Sequence, residues 1–281
     1  MVVNPQDIDL TGLVDMHIHT APDVRPRRVD DLGAARQAAE AGMRAILFKS
    51  HVTCTADRAT IAQQVVPDVH VFGSVTLNDA LGGLNPAAVE VALGLGARVV
   101  WMPTVAARNH ILKHGGALSG ISLLAENGRL QPTLFEIFDL VKEHNVILAT
   151  GHVSAQEIVA LVRAAISAGL RKVLVTHPEV PWVDMPADEQ EKLRDLGATF
   201  ERCYVSSLPV GGNVPFARIV SDIRQVGVDS TVLTTDFGVA TLPTPVDGMR
   251  TYLAAVLAAG FSQQQVRLMA GENPARLLGL D

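Results

Sequence analysis

Eight short apolar runs, separated by alanine-rich stretches with helix start and stop signals, recur along the 281 residues of this chain. They are 13–20 (LVDMHIHT), 44–51 (RAILFKSH), 69–78 (VHVFGSVTLN), 97–105 (ARVVWMPTV), 145–152 (NVILATGH), 172–179 (KVLVTHPE), 198–205 (ATFERCYV) and 230–238 (STVLTTDFG). Strands that alternate with helices pair in parallel, because each crossover returns the chain to the same end of the sheet. The intervening segments, such as DDLGAARQAAEAG and SAQEIVALVRAAISAG, open on Asp, Asn, Ser or Pro, and several close on Gly, as helices do. With 48% hydrophobic but only 4% aromatic residues, the core must be built from Ala, Val, Leu and Ile, the composition of buried parallel strands. The length is close to the roughly 250 residues of a closed barrel. The expected fold is therefore α/β, a (β/α)8 TIM barrel forming one domain over residues 1–281. A solenoid is the alternative for a repeat of this kind, but the segments share no repeat consensus.

Two departures from a bare barrel are legible. The segment Ala106 to Leu130, after the fourth strand, carries Gly115, Gly116, Gly120 and Gly128 and exceeds the roughly 12 to 15 residues of an ordinary connection, so it is expected to be a lid over the mouth. The closing FSQQQVRLMAGENPARLLGLD is expected to add an extra C-terminal helix on the outside of the barrel.

Charge and cysteine content narrow the function classes. A net charge of −6 offers no basic face for nucleic acid. Cys54 and Cys203 are too few for a disulfide framework. The N-terminal stretch has neither a basic n-region nor an apolar h-region, and no apolar run reaches the roughly 18 residues of a membrane span. The expectation is a cytoplasmic protein acting on a small molecule, with no nucleic-acid or membrane partner. The oligomeric state is left open, a homo-oligomer included.

The chemistry lies at the strand ends. His17 and His19 leave the same face of the first strand with Cα atoms about 6.6 Å apart, close enough to share one metal. His152 ends the fifth strand, His177 the sixth and Asp236 the eighth. In a barrel those ends converge at one mouth, whereas five unrelated polar strand ends would have no reason to fall on the same side. Imidazole nitrogens and a carboxylate suit zinc and similar divalent ions.

With these residues the chain resembles the amidohydrolase superfamily, whose pattern is H-x-H on strand one, a histidine on each of strands five and six, and an aspartate on strand eight. The resemblance spans nearly the whole chain and includes ENPARLLGL near its end. It implies a barrel, a divalent metal site of one or two ions, zinc first with manganese or ferrous iron as alternatives, and Asp236 as the catalytic, proton-transferring carboxylate. Where binuclear members carry a lysine or glutamate ending strand four, WMPTV (101–105) offers neither, and Lys49 and His51 at the end of strand two are the nearest substitutes. The second strand also resembles that of the polymerase-and-histidinol-phosphatase esterases, with His51 at their histidine and Ser50 where they have an aspartate.

The expected activity is hydrolysis of a C–N or C–O bond in an amide, cyclic amide, lactone or ester. Phosphoester hydrolysis, decarboxylation or hydration, and a metal-stabilised barrel that only binds a ligand are the rivals. Arg25, Arg108 and Glu201 are the candidate substrate contacts; Arg27 and Arg28 share the loop with Arg25, and guanidinium groups suit carboxylates. Glu201 could instead orient a ligand histidine, and since it and Arg202 are consecutive on a strand, only one of them points inward. His110 and His114, four apart in the lid, are expected to be solvated or substrate-facing, while His70 and His144 fall on the wrong rim. No G-x-G-x-x-G follows the first strand, which removes a dinucleotide role.

Overall fold

The computed structural model describes residues 3–117 and 119–280. The strands are β1 (Val14–Ile18), β2 (Ala45–Phe48), β3 (His70–Phe72), β4 (Ser74–Thr76), β5 (Val99–Trp101), β6 (Ile147–Ala149), β7 (Val173–Val175), β8 (Thr199–Cys203) and β9 (Thr231–Thr234). Between them run α1 (Asp31–Glu40), α2 (Ala56–Val65), α3 (Pro86–Gly94), α4 (Arg108–Lys113), α5 (Thr133–Glu143), α6 (Ala155–Ser167), α7 (Ala187–Leu196) and α8 (Phe216–Val226). After β9 come α9 (Pro245–Ala258), α10 (Gln263–Arg267) and α11 (Asn273–Leu278). Every strand pair is parallel, in ladders β1-β2-β3 and β4 through β9.

β3 and β4 are one extended run interrupted at Gly73. A side chain there would collide with the backbone of Thr55 and Ala56, so only glycine fits. Thr55 and Ser74 bridge the break: both hydroxyls donate to Phe48 O, and Thr55 Oγ1 accepts from Ser74 N. At the other seam Asp236 N donates to His17 O (2.9 Å) and His19 N to Phe237 O (2.7 Å). The eight predicted strands thus form a (β/α)8 barrel.

The helices start where capping chemistry allows. Ser154 and Glu157 form a reciprocal capping box at α6, and Asn85 caps α3 with Pro86 in its first turn. In α6 the buried positions Ile158, Leu161, Val162 and Ala165 make one apolar stripe, which packs between barrel and solvent.

Inside the barrel, Val14, Met16, Ala45, Leu47, Val99, Trp101, Ile147, Ala149, Leu174 and Val232 form one cluster, joined by Ala275, Leu277 and Leu278 of α11. The C-terminal helix therefore does not lie on the outer wall, as its sequence suggested. Its apolar face plugs the end of the barrel opposite the strand termini, where the first inward residue of each strand would otherwise meet water. Asn273 anchors it by donating to Val228 O and Thr231 O.

β1 contains a bulge. Val14 pairs with Ala45 and Asp15 with Ile46, but the next partner of Phe48 is Ile18, so three steps on β1 match two on β2. The extra residue shifts the alternation, and Met16 belongs to the interior cluster although His17 also reaches the interior site. Bulges re-aim side chains in this way.

Candidate metal centre and cavity

The strand ends open into a cavity of about 600 Å³. His19, His51, His152, His177 and Asp236 line it together with Arg25 and Arg27, and Val105, Ile111 and Trp182 supply apolar wall. His17 and Lys49 lie beneath this lining, fully buried. The long loop after β5 contributes His110, Ile111, His114 and Gly116 to the same wall. Its second half is packed down: Leu123 is buried, and Ser122 Oγ and Leu123 N both donate to Glu157 Oε1.

At the floor, one carboxylate oxygen meets two imidazoles. Asp236 Oδ1 is 3.0 Å from His17 Nε2 and 3.1 Å from His19 Nε2. The other nitrogen of His17 lies 3.1 Å from Glu201 Oε1. A carboxylate only accepts, so this contact places a proton on Nδ1, the second-partner arrangement of metal-bound histidines, while the Nε2 contact with Asp236 needs either a second proton or a cation between the two atoms. Lys49 Nζ is 2.9 Å from His17 Nε2 and 4.2 Å from the Trp101 ring centre. Trp101 thus occupies an inward position at the end of β5, and Lys49 reaches over it from β2.

Asp236 (φ 53°) and His177 (φ 26°) hold left-handed backbone that non-glycine residues adopt at a cost of about 1–3 kcal/mol. Both stand at strand ends in the site, where such conformations serve to aim a side chain.

Burial governs the titration of the cluster. It drives His19 down to about 3 and His177 to about 4, and it holds His51 and His152 well below the usual histidine range. For His17 burial acts the same way, but the nearby Asp236 and Glu201 charges outweigh it and raise the pKa. Burial opposes the charged form of Asp236, yet His17 and His19 hold its carboxyl well below the usual carboxylate range. Burial also lowers the Lys49 ammonium. The directions for His17 and His19 differ although both face Asp236; His17 has the second carboxylate, and that is the physical reason to accept the difference.

This donor set fits a divalent cation. It combines four imidazoles, His19, His51, His152 and His177, whose burial favours the neutral, metal-binding form, with an ionised carboxylate, and His177 Nδ1 is buried with no hydrogen-bond partner. Cys203, one strand-period after Glu201, adds a donor: single atoms of His17, Cys203 and Asp236 lie within 4.8 Å of one another. That period-two spacing on β8 was the available signal for Cys203, which the strand-end pattern alone passes over. The element opposing a cation is Lys49, whose charged form burial disfavours.

The remaining candidates lie in different settings. Of the roles open to Glu201 the structure favours orienting a histidine: it has no exposure and backs His17 from inside the barrel. Arg108, at the start of α4, is exposed and absent from the cavity wall. Arg27 reaches the cavity but is paired with Asp23 through two hydrogen bonds at 2.9 and 3.1 Å, and its Nη2 lies 3.4 Å from His19 Nδ1. Arg25 does face the cavity, with no ion pair among the described residues. His51 sits beside His19, ring centres 4.8 Å apart, and its Nδ1 bonds Thr104 Oγ1 at 2.8 Å. Ser50 Oγ accepts from Val52 N and Thr53 N, so it serves the turn.

Known structures share this architecture. An amidohydrolase from Pseudomonas aeruginosa superposes with a TM-score of 0.67 at 14% identity, covering 98% of each chain. An organophosphorus hydrolase from Deinococcus radiodurans gives 0.64 at 14% identity, over 99% of this chain and 94% of that one. A dihydroorotase gives 0.60 at 13% identity, over 96% and 72% respectively. No curated protein sequence matches this chain. The profile of one family matches residues 12–201, a span that runs from the H-x-H strand to Glu201, and the chain belongs to that family, described as a family of unknown function (DUF6282).

Proposed function

We propose that this protein is a metal-dependent hydrolase that directs water against a C–N or C–O bond, in an amide, cyclic amide, lactone or ester, of a small anionic molecule. The observation that carries the reading is Asp236 Oδ1 facing both His17 Nε2 and His19 Nε2 within 3.1 Å at the base of an open cavity. His17, His19 and Asp236 would hold one divalent ion, with His152 and His177 as ligands on the opposite side and Lys49 and His51 between them. A divalent ion supplies Lewis acidity, bringing the pKa of water toward about 7 and polarising the bond to be cleaved.

The chain's own residues supply the rest. Asp236, ionised and directed into the cavity, accepts a proton from the attacking water and returns it to the leaving group. Glu201 keeps His17 in the tautomer that leaves Nε2 free. Arg25, unpaired at the rim, receives a carboxylate or similar anion, and Val105, Ile111 and Trp182 hold an apolar body. The hydrolase names of the structural neighbours agree with this reading in kind. The phosphoesterase alternative loses support because Ser50, the residue at its missing carboxylate, is engaged in a turn.

Metal analysis of the His17→Ala/His19→Ala double variant, with a panel of lactones, amides and phosphoesters, tests the proposal. Metal content should fall to background while the far-ultraviolet circular dichroism is retained, because these side chains contribute little to the apolar core. Full metal retention in the double variant would sink the site assignment.

A further inference from the structure

The strand-end geometry of the site does not account for His110, which arrives on the long loop after β5. Its Nδ1 lies 3.0 Å from Nδ1 of His152. The approach is built by the fold. Asn109 donates to His152 O at 3.1 Å and to Trp182 O at 2.6 Å, so the residue before His110 is tied to the residue it faces. Arg108 N donates to Ile121 O at 2.8 Å, which closes the loop's base. The imidazole of His177 neighbours that of His152, ring centres 4.8 Å apart, and its buried Nδ1 has no partner. No carboxylate lies within ion-pair distance of His110, His152 or His177 among the described residues.

Two imidazole nitrogens at this separation need something between them, either one shared proton or one cation. Nitrogens bound about 2.1 Å from a single divalent ion, at an angle of about 90–110°, lie about 3.0–3.4 Å apart. The observed separation of 3.0 Å falls at the lower edge of that range.

Resting on the metal-dependent reading above, we infer that His110 is a further ligand of the cation held by His152 and His177, so that metal binding fastens the α4 loop over the cavity. His114, one turn on, marks the boundary of the site. Its ring stacks on His110 at 4.0 Å, and its Nδ1 bonds the carbonyl of His110, so it is not directed at His152.

The two tryptophans allow the inner and outer ligand groups to be read separately. Trp101 lies 4.8 Å from the His17 ring centre, and Trp182 lies 5.5 and 5.7 Å from those of His110 and His152. Metal-free Trp101→Phe protein, in which Trp182 is the sole tryptophan, is titrated with Co²⁺, and fluorescence quenching and the visible Co²⁺ absorption are followed. Loss of an orienting partner of a metal ligand already costs about 10–100-fold in affinity, so His110→Ala should weaken Co²⁺ binding by at least about tenfold. His144→Ala, exposed on the opposite rim, should leave it unchanged. Hydrogen exchange of the α4 loop should slow on Co²⁺ addition in the parent and not in His110→Ala; His110→Gln, which keeps a hydrogen-bonding side chain, should behave as His110→Ala does. Unchanged Co²⁺ affinity and loop protection in His110→Ala, with loss in His152→Ala, would overturn the inference and leave only a shared proton. Quenching of Trp101 in Trp182→Phe protein without any quenching of Trp182 would also overturn it, while sparing the hydrolase proposal. No Co²⁺ binding by either reporter would defeat both.

Discussion

Glu201 and Arg202 are consecutive on β8, and neither has any exposed surface, yet one faces the barrel interior and the other the surrounding helices. On the outer side Arg202 pairs with Glu179 and donates to Gln190 Oε1 at 2.7 Å. Gln190 donates in turn to Asp222 on α8 at 3.1 Å, and Asp222 holds Arg218. This network joins β8, α7 and α8 to the loop that follows His177. On the inner side Glu201 meets His17 and, through it, Lys49, Asp236 and the cavity. Both groups are buried and charged, and both keep unpartnered atoms, Glu179 Oε2 with Arg202 Nε and Nη2 outside and Glu201 Oε2 inside, but the outer ones lie within packed helices. The inner one leaves lone pairs directed at a space that a ligand can enter. Burial of charge alone therefore does not mark a site in this protein; the direction of the unsatisfied atoms does.

Mutations can break this contrast. The largest effect is expected from Arg202→Met, which leaves Glu179 as an unpaired buried carboxylate and should cost about 3–5 kcal/mol in urea unfolding. Arg202→Met combined with Glu179→Leu should recover most of that loss, and a single variant as stable as the parent would show that the outer network is not structural. On the inner side Asp236→Asn should reverse the pattern. Asn tolerates the left-handed backbone at this position, so stability should hold, while turnover on any substrate found by the panel should fall at least about 10²-fold. Near-normal turnover would remove the proton-transfer role.

Three smaller effects sharpen the picture. Glu201→Gln keeps an acceptor for His17 but removes the charge, and metal affinity measured by competition with a chelator should drop about tenfold, with little change in unfolding. Arg25→Gln should raise KM about tenfold for anionic substrates and leave neutral ones alone, the difference a charged hydrogen bond makes. Equal effects on both substrate types would argue against an anion site. Arg108→Ala should alter stability by less than about 0.5 kcal/mol and kinetics not at all, since its side chain is exposed away from the cavity.

Much of the site was legible because strand ends in a barrel converge. His19, His152, His177 and Asp236 reach one cavity with His17 directly below, as their positions after apolar runs implied. Lys49 and His51, flagged as substitutes on strand two, do lie against His17 and His19. Arg108 is exposed away from the cavity and Glu201 lies against His17, and the local sequence could settle neither placement. A helix start carries no information on which way its first side chain leaves, and a strand glutamate two layers below a mouth has the same local sequence as one at the rim.

By itself the sequence determined the alternation of eight strands with helices, the strand ends that carry imidazole and carboxylate, and the choice between Glu201 and Arg202 as inward residue up to a sign. These follow from local periodicity and capping, which need only near neighbours. The tertiary structure decided the sign, through a barrel that sets Glu201 3.1 Å from a histidine 184 positions earlier. It also decided that α11 plugs the barrel and that His110 faces His152, 42 positions on. Such contacts join segments whose sequences do not depend on one another, and only closure of the chain brings them within reach.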